Sequence, residues 1–369
     1  MLAIPTKKKL RAQFEPHADY GFFGPDSVTW KVWSYPTSYI LGFARSVTIE
    51  HLDPNLAAAV VQSGGVKYRP HTRYGRTLRY FGMVMFGATE PTAKAADVLV
   101  KVHSKAIGHD PVTGGEYDAN QPSSQLWIHM TAWHSILYCY EKFGPGRLSA
   151  DEEAQFWAEC ARAAELQTID PDTVPRTRED VIAYFEDWRP RLAMSEAAQD
   201  MVDFILSLEV ALPPDLPKWQ RLALKPVMAF LRRGVIATFP RHIRKMFDIQ
   251  QRRIVDAAVV LPLKVGHAVV SRSPVLTYLM AKILAPAAFP VVAPVILGIP
   301  PISPITMTPR EAQEKYGYAL PGEAHLDLRA SQRDRVFGEG LAPSEEGLEE
   351  SQQHIGSMDP IEARAPMSA

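Results

Sequence analysis

Between residues 21 and 310 the apolar positions recur mostly at helical intervals, and no segment alternates strictly between apolar and polar side chains. That pattern predicts helices and no sheet. Helix starts are marked in several places: Ser149 is followed three residues later by Glu152, as in a capping box, Thr177 opens an acidic first turn, and Ser195 precedes EAAQDMVDFILSL. Residues 92–108 read as one helix, with Lys94, Asp97, Lys101 and Lys105 on its polar side, Val98, Leu99, Val102 and Ile107 among its apolar positions, and Gly108 as its stop. Residues 1–20 form a polar lead. From about 338 the chain is rich in Glu, Ser, Gly and Pro and too poor in bulky apolar side chains to offset its ordering entropy. The expected fold is all-α, a single large multi-helix domain over 21–310, with an N-terminal extension (1–20) and a C-terminal extension (311–369) disordered from about 338.

Composition supports a packed body: of 369 residues, 46% are apolar and 22% charged, near the globular averages of roughly 45–50% and about 25%. Lys and Arg number 40 against 41 Asp and Glu, and the net charge of −1 supplies no overall field for a polyanion, which argues against a nucleic-acid partner. Locally the balance shifts. Arg232, Arg233, Arg241, Arg244, Lys245, Arg252 and Arg253 form a basic stretch, and no charge occurs from Ile283 to Pro309. Length alone would let that run cross a membrane, but the prolines at 286, 290, 294, 300, 301 and 304 each remove a backbone donor and crowd a helix that lipid cannot repair. The expectation is a Pro-rich segment packed on the body, or dipping into a bilayer face beside the basic patch and so giving a peripheral membrane contact through 232–309; burial in the core competes with both. The charged opening MLAIPTKKKLRAQFEP lacks the apolar stretch of a secretory signal. It implies a cytoplasmic protein, peripheral at most to the inner membrane face.

Cys139 and Cys160 are too few for a disulfide scaffold, a thiolate zinc cage or an iron–sulfur cluster. The chain has no G-x-S-x-G, G-x-G-x-x-G, P-loop, H-E-x-x-H or Glu-x-x-His motif, which weakens serine hydrolase, dinucleotide, kinase, zincin and di-iron readings. Polar residues in apolar helical surroundings remain. Arg73, Arg76 and Thr77, in HTRYGRTLRYFG, stand at i, i+3 and i+4. On a helix they share one face, either a grip for a carboxylate, a propionate or a reduced oxygen species, or a solvated ion-pair face. His103 has Leu99, Val100, Ala106 and Ile107 as helical neighbours, so its neutral ring points into an apolar interior, to hydrogen-bond or to ligate a metal. His129 and His134 would lie about 140° apart on a helix of 3.6 residues per turn and cannot clasp one ion together.

Taken in order, GPDSVTWKVWSYP, GFARSVTIEHLDPNLAAAV, RYGRT, VKVHSKAIG and LWIHMTAWHSILYCYEKFG resemble the rubber oxygenase/MpaB-type family, which includes latex-clearing proteins and a fungal endoplasmic-reticulum oxygenase. The resemblance implies a helical protein that holds haem b and uses dioxygen to cleave carbon–carbon double bonds in isoprenoid chains. It makes His103 the axial iron ligand, leaves His129 as a competing cofactor-binding residue, and puts Arg73, Arg76 and Thr77 in the haem pocket as catalytic residues facing a propionate or the reacting oxygen. Two departures matter. A family lysine able to ligate iron from the distal side is replaced by Arg76, which stays protonated and leaves that side open. Between Asn55 and Arg76 there is also no carboxylate to match the glutamate base of the rubber cleavers. The implied function is a haem b-dependent oxygenase acting with dioxygen on a hydrophobic, unsaturated isoprenoid or lipid-like small molecule. The alternative is a non-catalytic haem- or lipid-binding protein at a membrane surface.

Overall fold

A computed structural model describes residues 6–62, 70–110 and 114–347. Among them are seventeen α-helices and one short hairpin. In chain order these are α1 (Lys7–Arg11), α2 (Val28–Trp33), α3 (Leu41–Glu50), α4 (Pro54–Gln62), α5 (Pro70–Phe86), α6 (Thr89–His103), β1 (Ile107–His109) and β2 (Glu116–Asp118). There follow α7 (Pro122–Phe143), α8 (Ala150–Ala164), α9 (Arg178–Trp188), α10 (Glu196–Ser207), α11 (Lys218–Thr238), α12 (Arg241–Met246), α13 (Arg253–Ser271), α14 (Pro274–Leu284), α15 (Phe289–Leu297), α16 (Pro309–Tyr316) and α17 (Leu326–Arg333). The all-α expectation holds for this single body.

The start signals behave as read. Ser149 and Thr177 close capping boxes with Glu152 and Asp180, and Ser195 caps α10 by accepting from Ala198 N. The helix expected over 92–108 instead spans Thr89–His103. Its last turn is satisfied early, because Ser104 Oγ and Asn120 Nδ2 both donate to Val100 O, at 2.9 and 3.0 Å. Ile107 and Gly108 then pair antiparallel with Asp118 and Tyr117. Strands of three residues are too short to show alternation in a sequence.

α7 is the axis of the body. It is buried nearly all round, as an aromatic and aliphatic helix without a polar stripe must be. Met130, Trp133, Ile136 and Tyr140 enter one core with α2, α6, α8, α15 and the end of α5, while Trp127, Cys139 and Phe143 enter a second with α3, α10, α11 and α13. α3 lies directly on α7. A Cβ added at Gly42 would come within 2.6 Å of Ile136 Cδ1 and 3.2 Å of Ile136 Cα, so only glycine permits this approach. Three residues along, Arg45 is buried with Nη1 on Ser135 Oγ at 2.6 Å and its guanidinium 4.7 Å from the Tyr138 ring.

The uncharged Pro-rich run packs on the body rather than projecting from it. Phe289, Val292, Ala293 and Leu297 are buried in the first core. Gly75 and Gly82 of α5 sit against Ala287 and Ala288, and Tyr74 Oη donates to Leu284 O at 2.9 Å. The N-terminal lead clamps the far end, with Ile302 N and Ser303 N donating to His17 O and Ala18 O at 2.8 Å each. Residues beyond 310 also dock: α16 packs on α6, and His325 Nε2 meets Asp97 Oδ1 at 2.7 Å. Part of the tail expected to be disordered is tied down as well, through Ser344 N on Gln332 Oε1 at 2.9 Å and a Lys105–Glu345 ion pair. Composition had hidden these individual polar contacts. The remainder of that tail, 348–369, lies outside the described residues.

Two glycine substitutions with opposite signs test the α3–α7 contact. Gly42→Ala is expected to lower unfolding free energy by about 1–3 kcal/mol through overpacking. Gly266→Ala, in α13 with open space around it, should raise it by roughly 0.5–1 kcal/mol. Urea denaturation reads both, and equal effects would show that α3 does not depend on close approach to α7.

Candidate functional site

α3 with the residues flanking it, the first two turns of α5, and α10 with the turn after it line a cavity of about 90 Å³ that opens to solvent. Phe43, Val47, Met201, Phe204 and Leu208 make its walls apolar, and Tyr39, Glu50, His51, Arg73 and Thr77 supply its polar groups.

Of the residues expected from sequence, the structure brings Arg73 and Thr77 to this cavity and leaves Arg76, on the same helix, outside its lining. Thr77 Oγ1 donates to Arg73 O at 3.1 Å. Its proton is thus directed at the backbone, and the hydroxyl is left as an acceptor towards its other neighbours. Arg73 is desolvated, which lowers its pKa, with Glu50 opposing that shift.

Glu50, His51 and Tyr39 escaped the reading of motifs. Desolvation pushes the Glu50 carboxyl up to about 7 while the Arg73 charge pulls it down. His51 is only 4% exposed. Its Nδ1 lies 2.5 Å from Val47 O, and since a carbonyl only accepts, Nδ1 carries the proton and Nε2 is a bare lone pair. Nε2 is buried with no partner among the described residues, as is Tyr39 Oη. Burial, with Arg73 nearby, holds His51 down to about 4, so the ring is neutral at pH 7. The signals for the pair were present but faint: His51 ends α3 four residues after the Val47 carbonyl it uses, and Asp53 caps α4 through Leu56 N at 2.9 Å. A carboxylate just before the window from Asn55 to Arg76, Glu50, lines the same cavity as Arg73 and feels its charge.

His103, the last residue of α6, is also held down to about 4, by burial and then by the Arg73 charge. Its Nδ1 is 3.0 Å from Gln125 Nε2, which also donates to Ala119 O. In that arrangement Nδ1 accepts and Nε2 carries the proton. Turning the Gln125 amide over would reverse the tautomer and bare Nε2. His129 lies elsewhere, 1% exposed in the first core, with Nε2 donating to Cys160 O at 2.8 Å and Nδ1 facing the Gln167 amide at 3.5 Å. His134 packs on Phe185, its ring centroid 4.9 Å away. Neither lines the cavity.

Among the described residues no three His, Cys, Asp or Glu side chains gather to hold a bare metal ion. What is gathered at one end of the cavity is Arg73 with a carboxyl, Glu50, and a neutral imidazole, His51; the Arg73 charge also reaches His103, which lies outside the lining.

The fold is a helical domain whose apolar cavity has a compact polar end. The family model described as ER-bound oxygenase mpaB/B'/rubber oxygenase, catalytic domain, matches residues 30–272, and the chain belongs to that family. The match spans α3, α5, α6 and α7, which carry the residues just described. No curated protein and no solved structure matches the chain significantly.

The Glu50 environment makes a prediction with a defined sign. Its folded pKa of about 7 stands above the ordinary 4.5, so the stability it contributes is present at low pH and lost as pH rises through about 7. Glu50→Gln keeps the neutral form throughout. The variant should match wild type in thermal midpoint at about pH 4 and exceed it at about pH 8; a pH-independent difference would show that the carboxyl is well solvated.

Proposed function

We propose that the protein is a haem b-dependent oxygenase that uses dioxygen on a hydrophobic, unsaturated isoprenoid or lipid-like molecule. Family membership supports the oxygenase class. The observation that carries the finer reading is the unpartnered His51 Nε2 and Tyr39 Oη, buried beside Arg73 in an otherwise apolar cavity. Polar atoms left unsatisfied in such a wall are costly unless a ligand meets them.

The donor set suits haem rather than a bare ion, because a porphyrin iron brings four ligands and asks the protein for one imidazole. Haem b, when bound, supplies an iron able to activate dioxygen for attack on a carbon–carbon double bond. The resemblance assigns the ligand to His103; ligation through Nε2 requires the Gln125 amide to turn and accept from Nδ1, because as placed it donates to Nδ1 and to Ala119 O. Arg73 holds a positive charge where a propionate or a developing negative charge needs it, and the nearby Glu50 carboxyl favours that charge against burial. Glu50, near neutral pH, exchanges a proton readily. His51 Nε2 accepts a hydrogen bond from whatever polar group enters. The apolar walls exclude water and bind the substrate chain. Arg76, His103 and His129 all lie outside the lining of this cavity.

Absorption spectra after haem loading test the assignment. Wild type, His51→Ala and His129→Ala are expected to show a Soret band, and His103→Ala to lose it or shift it strongly. Loss in His51→Ala with retention in His103→Ala would transfer the ligand to His51, and no band in wild type would end the haem reading. Oxygen uptake by the loaded protein with unsaturated isoprenoids separates an enzyme from a carrier. Arg73→Ala should reduce that uptake at least about tenfold, and a protein that binds haem but consumes no oxygen would be a carrier.

A further inference from the structure

The middle of the Pro-rich run, Phe289–Leu297, packs on the body, while Ile283, Ile302 and Ile305 towards its ends stay exposed. A different apolar surface is left in solvent. On α13, Ile254, Ala258, Leu261, Val265 and Val269 follow one another at i, i+4, i+7, i+11 and i+15, all exposed, while Val259 and Leu263 on the opposite side enter the second core. Ile254 and Leu261 are 74% and 69% exposed. α13 is long and apolar enough to cross a membrane, yet only 11% of its apolar window is buried. The neighbouring α11 exposes Trp219 and Leu222 at 69% and 64%.

Charge completes the pattern. From Lys218 to Lys282 the chain carries 13 Lys or Arg and two Asp, in a protein whose overall charge is −1. One of those acids, Asp256, is paired with Arg244 at 2.9 Å. Lys218, Lys225, Arg232, Arg233, Arg252 and Arg253 are exposed around the apolar side chains.

We infer that α11 and α13 form a docking face for an anionic lipid bilayer, with α13 lying in the interface plane and its basic neighbours in the headgroup layer. An aliphatic stripe with a tryptophan and a cationic rim is what an interfacial helix requires. α13 lies on the membrane rather than across it, because Val259 and Leu263 anchor its other face to the protein and Asp256 is held in an ion pair. A second copy of the chain fits poorly, since two such faces would bring like charges together. The inference is independent of the oxygenase reading and needs neither cofactor nor substrate to test.

Co-sedimentation of the full chain with phosphatidylcholine vesicles, with and without about one third phosphatidylglycerol, reads the contact directly. Wild type should pellet with the anionic vesicles at low salt, at least about tenfold more than with neutral ones, and release as salt rises. Leu261→Glu with Val265→Glu should lose at least about tenfold. Ile182→Glu, on α9 and 57% exposed, should not. Arg252→Gln with Arg253→Gln, which leaves the apolar stripe intact, should weaken binding and flatten its salt dependence. Wild type remaining in the supernatant with anionic vesicles, or the double glutamate variant pelleting like wild type, would overturn the inference. So would a wild-type dimer in sedimentation velocity that the glutamates dissolve, which would give the face to a second copy.

Discussion

The site depends on the desolvation that follows from seating α3 directly against α7. Gly42 permits the backbone approach, and the buried Arg45 fixes it by bonding Ser135 and covering Tyr138. The end of α3 is thereby held in an apolar wall, where Glu50 and His51 meet Arg73 away from bulk water. In that setting burial dominates the protonation of several neighbours, and the Arg73 guanidinium adds to it at the two imidazoles and opposes it at Glu50. The imidazoles stay neutral and the carboxyl sits near neutrality because water is missing.

The same economy of placement divides the chain's apolar residues. The middle of the uncharged stretch between Ile283 and Pro309 is spent inside, as the seat of α5, whose glycines lie against Ala287 and Ala288, while Ile283, Ile302 and Ile305 stay exposed. Its prolines are tolerated because the N-terminal lead supplies backbone acceptors for the donors that remain. α13, with a similar apolar content but charged flanks, stays at the surface. Hydrophobicity alone does not distinguish the two uses; the arrangement of charge around each segment does.

Local physics was legible in the sequence where it acts over three or four residues. The capping boxes at Ser149 and Thr177 formed as spaced, and the i, i+4 pair Arg73 and Thr77 reached one cavity. Long-range packing was not legible. Nothing within a few residues of Glu50 says that Arg73 folds back onto it, and the Gln125 amide on His103 comes from another helix. The hairpin at Ile107 was too short to show a period, and the docking of residues 338–347 rests on single polar contacts that composition averages away.

Histidine ring nitrogens report the central condition most directly. Nitrogen-15 spectra of the labelled protein, followed as pH is lowered, should show His51 and His103 neutral until about 4, with His51 as the Nδ1-protonated tautomer. Proton uptake by either ring near the ordinary 6.5 would mean that the end of α3 is hydrated and that the dry polar cluster around Arg73 does not exist.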